Sequence, residues 1–117
     1  MKTLLVIEND VDTIDIIESM YENTDYKVIK ALKKLSVAEV EKINPNIIVL
    51  DHLLGDGYGG DLCLAIKANP LTKHIPVILY SASHHVKELA EISCADAYIS
   101  KPFDLYDFMN TVDSLAL

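Results

Sequence analysis

The run Ile47-Ile48-Val49-Leu50 is short, wholly apolar and stops at a carboxylate, Asp51. Pro45 and Asn46 precede it, and every glycine of the chain follows it closely, at positions 55, 57, 59 and 60. A short apolar run bounded by turn residues reads as a strand covered on both faces, as in a parallel sheet. Such a strand delivers Asp51 to the carboxyl edge of the sheet, where open α/β folds place their ligand sites. Glycines gathered beyond it mean backbone at positive φ, or backbone lying close against something.

The same pattern recurs along the chain. Thr3 to Ile7 is a second apolar run, ending at Glu8-Asn9-Asp10. Asp10 or Asn9 caps the helix that follows, in which Val11, Ile14, Ile17 and Tyr21 recur at helical spacing. Lys27 to Ala31 reads as a further strand. Ser36-Val37-Ala38-Glu39 has the form of a capping box and opens a short helix to about Ile43. Beyond the glycines, Asp61 to Asn69 reads as a helix with Leu62, Ala65 and Ile66 inward, stopped by Pro70. Ile75 to Tyr80 is the next strand, ending in Ser81-Ala82-Ser83. A helix over His85 to Ile92 turns Val86, Leu89 and Ala90 to one side. Ala97-Tyr98-Ile99 is a brief last strand before Ser100-Lys101-Pro102-Phe103. Asp104 caps the final helix, which buries Leu105, Phe108, Met109 and Val112. Strand and helix alternate five times, so the expected fold is α/β, a doubly wound five-stranded parallel sheet with helices on both faces. Residues 1–117 read as a single domain with no output domain attached.

Composition narrows the function. The net charge is −8, from 10 basic against 18 acidic residues, which argues against phosphate-backbone binding and against an anionic membrane surface. No apolar run approaches the roughly 20 residues of a membrane helix, and no signal peptide is visible, so a cytoplasmic location is expected. Cys63 and Cys94 stand apart without metal-ligand spacing and read as buried, reduced packing thiols. His84 and His85 are neighbours that cannot face one ion from a helix, and His52 and His74 read as loop or surface residues.

The strand ends carry the chemistry: Glu8-Asn9-Asp10, Asp51, Ser81 and Lys101, all on one edge. Carboxylates brought together repel, and a divalent cation relieves them; an all-oxygen set suits magnesium better than zinc. A hydroxyl and an ammonium complete a site for a phosphoryl group, and a carboxylate can itself accept one. Taken singly, Asp51 reads as a strand-end residue and Lys101 as a solvated cation; it is their convergence that favours the functional reading.

With Glu8-Asn9-Asp10 after the first strand, Asp51 after the third, Gly59 eight residues on, Ser81-Ala82 after the fourth and Lys101-Pro102-Phe103 after the fifth, the whole chain resembles a response-regulator receiver domain of two-component signalling. The resemblance implies a flavodoxin-like strand order 2-1-3-4-5. It implies that Asp51 accepts phosphate from a sensor histidine kinase or phosphotransfer protein, and that a downstream protein reads the result, with no direct nucleic-acid or membrane partner. It further implies Mg2+ held by Glu8, Asn9, Asp51 and the backbone carbonyl of Leu53. Ser81 becomes the switch hydroxyl, Lys101 the partner of the phosphorylated carboxylate, with a cis bond to Pro102, and Tyr98 the switch aromatic. The domain is then a phosphoryl acceptor rather than an enzyme. The main departure is Asn9, where the family usually has an aspartate; a neutral amide weakens the hold on a hard cation. Asp10 could substitute, though helix capping competes for it. Gly55 stands where the family often has proline. Neither Leu53 nor Ser83 is well suited to orient an attacking water, so a long-lived phosphorylated state is expected. The alternative is a receiver-like interaction module that works without phosphorylation.

Overall fold

The computed structural model describes residues 1–116. Five strands alternate with five helices: β1 Lys2–Ile7, α1 Val11–Met20, β2 Tyr26–Ala31, α2 Val37–Ile43 and β3 Ile47–Asp51 come first. They are followed by α3 Gly59–Ala68, β4 Val77–Ser81, α4 Val86–Ile92, β5 Ala97–Ser100 and α5 Leu105–Leu115. All pairings are parallel, and the sheet order is β2-β1-β3-β4-β5, the flavodoxin-like order.

Two apolar layers flank the sheet, because successive side chains of a strand point to opposite faces. One face carries Leu5, Ile7, Ile48, Leu50, Val77 and Leu79, packed on Val40, Leu62, Ile66 and Ala90 from α2, α3 and α4. The other carries Leu4, Val6, Ile47, Val49, Ile78 and Tyr80, packed on Ile14, Ile17, Phe108 and Val112 from α1 and α5. Every residue of β3 and β4 is buried, which is why both read as unbroken apolar runs rather than alternating ones.

The helix starts follow local chemistry. Asp10 caps α1 by accepting from the Thr13 N–H, and Asp104 caps α5 through Tyr106 and Asp107. Ser36 and Glu39 close a reciprocal capping box on α2, as their spacing implies.

Several expectations need correction. Val11 and Leu105 are half exposed rather than inward. Each is the first residue of its helix, and the apolar layer buries the residues further along, Ile14 and Ile17 in α1 and Phe108 and Val112 in α5. Ala65 is exposed because α3 turns Leu62, Cys63 and Ile66 to the core, leaving position 65 on the outer side. Cys94 is not a packing thiol: it is exposed and takes φ 61 in the turn after α4. Cys63 is buried as expected, and burial pushes its thiol up to about 12.

The glycines divide their work. Gly55 has φ 81 and Gly57 φ 156, both in the loop beyond β3. Gly59 and Gly60 instead begin α3, two residues before the expected helix start. A Cβ on Gly59 would stand 2.0 Å from the Asp51 carbonyl oxygen, so only glycine lets α3 begin against the backbone of the acidic strand end. Replacing Gly59 by Ala is expected to cost about 2–3 kcal/mol of stability, measured by chemical denaturation, because backbone must move to admit it.

Candidate functional site

Parity decides what meets at the sheet edge. Register pairs Asp51 with Tyr80 and Tyr80 with Ile99. Asp51 lies two residues past Val49 and Glu8 two past Val6, so both carboxylates emerge on the α1/α5 face. Both are buried, Glu8 at 1% and Asp51 at 5% exposure. Lys101, two residues past Ile99, bridges them: its Nζ lies 2.8 Å from Glu8 Oε1 and 3.3 Å from Asp51 Oδ2. The Lys101-Pro102 bond is cis, as the resemblance implies.

The electrostatics follow from two buried carboxylates sharing one ammonium. Burial raises the Asp51 carboxyl, the neighbouring Glu8 raises it further, and Lys101 only partly offsets them, leaving it at about 7. Glu8 shifts the other way: burial opposes its charge, but hydrogen bonding with Asp51 and Lys101 outweighs that and lowers it. The two titrate as a pair.

The remaining expected residues fall around this triad. Asn9 is exposed, and its side-chain amide nitrogen lies 3.3 Å from where a Cβ on Gly55 would stand. Asp10 is committed to α1, accepting from both the backbone N–H and the hydroxyl of Thr13. No group of three or more His, Cys, Asp or Glu residues suited to a metal ion occurs among the described residues. Leu53 faces Tyr58 across a short antiparallel bridge made by the Gly59 N–H to the His52 carbonyl and the Leu54 N–H to the Gly57 carbonyl. The Leu53 carbonyl takes no part in either bond.

Ser81 is buried at the end of β4, but its hydroxyl accepts from the Ser83 N–H rather than meeting the triad. Ser83 in turn accepts from the His85 N–H. Tyr98 is 44% exposed on β5. His52 is structural: its ring stacks on Tyr58 and its Nδ1 accepts from the Gly60 N–H. His74, His84 and His85 are exposed.

One residue of the site escaped the sequence reading. Tyr80 is wholly buried and lies beneath Lys101, whose Nζ is 4.4 Å from the ring centroid. The available signal was an aromatic ring one residue before Ser81, on the same parity as Ile78, but an apolar strand absorbs such a residue without remark.

The family model for the response regulator receiver domain matches residues 4–113. Histidine kinase P4 of Formosa agariphila is 31% identical over 109 residues, covering 91% of this chain but 8% of that protein. The DNA-binding dual master transcriptional regulator RpaA of Synechocystis sp. is 27% identical, covering 98% of this chain and 49% of its own length. The chain thus spans half or less of these two relatives. Among solved structures, the receiver domain of sensor histidine kinase PA1611 from Pseudomonas aeruginosa, with a magnesium ion in its active-site cleft, superimposes with a TM-score of 0.87 at 19% identity, covering 98% of this chain and 97% of that one. No described helix is long and apolar enough to cross a membrane. With its fold, its sheet-edge carboxylates and its family match in agreement, this chain belongs to the response regulator receiver domains, the phospho-accepting modules of two-component systems.

Proposed function

We propose that Asp51 accepts a phosphoryl group from a phosphohistidine on a sensor kinase or phosphotransfer protein. The observation that carries this reading is the buried Asp51 carboxylate at the sheet edge, bridged to Glu8 by Lys101. An Asp51 oxygen attacks phosphorus, the phosphorus–nitrogen bond breaks, and the imidazole leaves as an acyl phosphate forms. Lys101 holds positive charge against the phosphoryl oxygens. Ser81 exchanges the Ser83 N–H for a phosphoryl oxygen, to which its hydroxyl donates. Tyr98 turns from the surface into the space Ser81 leaves, and a downstream protein reads the altered face of α4, β5 and α5. Such partners place the domain in the cytoplasm, and its acidic balance speaks against a nucleic-acid partner of its own.

Glu8, Asn9, Asp51 and the Leu53 carbonyl offer only oxygen donors, a set that fits a hard divalent cation such as Mg2+. When bound, that ion supplies Lewis-acid neutralisation of phosphoryl charge. Asn9 brings no charge to the set, so the hold is weak. Ser83 is occupied by the turn after β4 and Leu53 is apolar, so nothing here orients a hydrolytic water and the modification is long-lived.

Incubation with a small phosphodonor and Mg2+, followed by intact mass, should show one added phosphoryl group. The second reading is an interaction module that works unphosphorylated. It draws on Asn9 and on Lys101 already satisfying both carboxylates. An unmodified protein at high Mg2+ would establish it.

A further inference from the structure

We propose that Tyr80 is a positioning residue of the phosphoryl-acceptor site, its ring seating the Lys101 ammonium and its hydroxyl replacing Lys101 on Glu8 when Lys101 turns to the phosphorylated Asp51. The inference rests on the acceptor reading above and assigns it a residue that lies outside the strand-end set.

Three observations carry it. The ring is wholly buried on the same face of the sheet as Asp51, its neighbour in register, and cannot be displaced without opening the core. The Lys101 ammonium lies 4.4 Å from the ring centroid while bonding Glu8 at 2.8 Å and Asp51 at 3.3 Å. It is held between two carboxylates and an aromatic face, an arrangement whose attraction strengthens as water is excluded. Third, the Tyr80 hydroxyl is buried close to the Glu8 carboxylate but makes no well-formed hydrogen bond to it or to any other group. Phenylalanine would fill the same space and present the same face without burying an unsatisfied hydroxyl. An orphaned donor beside Glu8 is idle only while Lys101 occupies that carboxylate.

Phosphorylation changes the balance. The phosphoryl group draws Lys101 to Asp51, and Glu8, buried at 1% exposure, loses its ammonium partner and keeps only the charge of any bound Mg2+. Among protein donors it then retains the long 3.4 Å bond that the Asp10 N–H donates to Oε2, and a buried carboxylate oxygen that loses its donor is costly. The Tyr80 hydroxyl supplies one, so the ring fixes where Lys101 waits and the hydroxyl permits it to leave.

Two variants separate these roles: Tyr80→Phe keeps the ring and loses the hydroxyl, and Tyr80→Leu loses both. The rate of acyl phosphate formation is followed over a range of concentrations of a small phosphodonor with Mg2+. Tyr80→Phe should lower the maximal rate about tenfold with its half-saturating donor concentration unchanged, because the hydroxyl acts on Glu8 and not on the donor. Tyr80→Leu should lower the rate roughly tenfold again. In the unphosphorylated protein, the Lys101 Hε protons should resonate upfield of those of lysines that face no ring (Lys2 lies over Tyr26 and is set aside), in wild type and Tyr80→Phe alike.

Wild-type rates in both variants, with only melting temperature changed, would reduce Tyr80 to packing. A wild-type rate in Tyr80→Phe alone would overturn the hydroxyl's role. Lys101 Hε signals at ordinary lysine positions would overturn the ring's role. Should Tyr80→Leu fail to fold, Tyr80→Phe and the Lys101 signals decide. A wild type that takes no phosphoryl group would instead remove the acceptor reading, while the Lys101 signals would still report on the ring.

Discussion

Replacing Asp51 by Asn is expected to abolish the phosphoryl adduct while making the protein more stable at neutral pH. The first effect follows because an amide has no carboxylate oxygen to attack phosphorus, and no second carboxylate is placed to take over. Glu8 is more deeply buried than Asp51, at 1% against 5% exposure, and Asp10 is held by Thr13. The second effect follows from the pKa of Asp51, which rises from 3.8 to about 7 because the group is buried beside Glu8. Below the unfolded value both states are protonated and the site costs nothing. As pH climbs, the unfolded chain ionises first and the folded state retains its proton, so stability is lost up to the folded pKa. Acting alone, a shift of that size corresponds to roughly 4 kcal/mol, and Glu8, displaced in the opposite direction, offsets part of it. Chemical denaturation at about pH 5 and about pH 7.5 should show the wild type weaker at the higher pH, and Asp51→Asn close to level. Parallel pH profiles for the two proteins would contradict the assigned cause.

Asn9→Asp should act in the other direction on the metal. The substitution is nearly isosteric, and position 9 is exposed against the Gly55 loop, so the change is one of charge rather than fit. A third carboxylate beside Glu8 and Asp51 gives a hard cation another full negative charge to bind. Mg2+ affinity measured by calorimetry should rise roughly tenfold or more, a gain of about 1.4 kcal/mol for each factor of ten. Phosphorylation at low Mg2+ should quicken accordingly. Without metal the same variant should lose about 1 kcal/mol of stability, since it adds like charge to a buried pair. Unchanged Mg2+ affinity would mean that position 9 does not reach the ion.

The apolar runs and their caps made most of the fold readable. β3 and β4 are buried along their whole lengths, so an unbroken apolar sequence was an adequate signal, and the Ser36–Glu39 box is made by residues three apart. Inward faces of helices were less secure at their first turns, because periodicity cannot say where along a helix its burial begins; Val11 and Leu105 show this. Glu8, Asp51 and Lys101 were legible as a site because a parallel sheet brings the ends of its strands to one edge. Ser81 was legible as a residue of that edge, but not its hydrogen bond to the Ser83 N–H.

Sequence by itself determined which residues end the strands, and through them the chemistry available: two buried carboxylates, one ammonium, one hydroxyl and a neutral amide. Tertiary structure alone decided how they share charge. That Lys101 bonds both Glu8 and Asp51, that their pKa values part, and that Tyr80 lies beneath the ammonium with an unpartnered hydroxyl all depend on distances of a few ångströms between separate strands. Electrostatic interaction inside a protein varies steeply with separation and burial, and neither quantity is a property of any one segment.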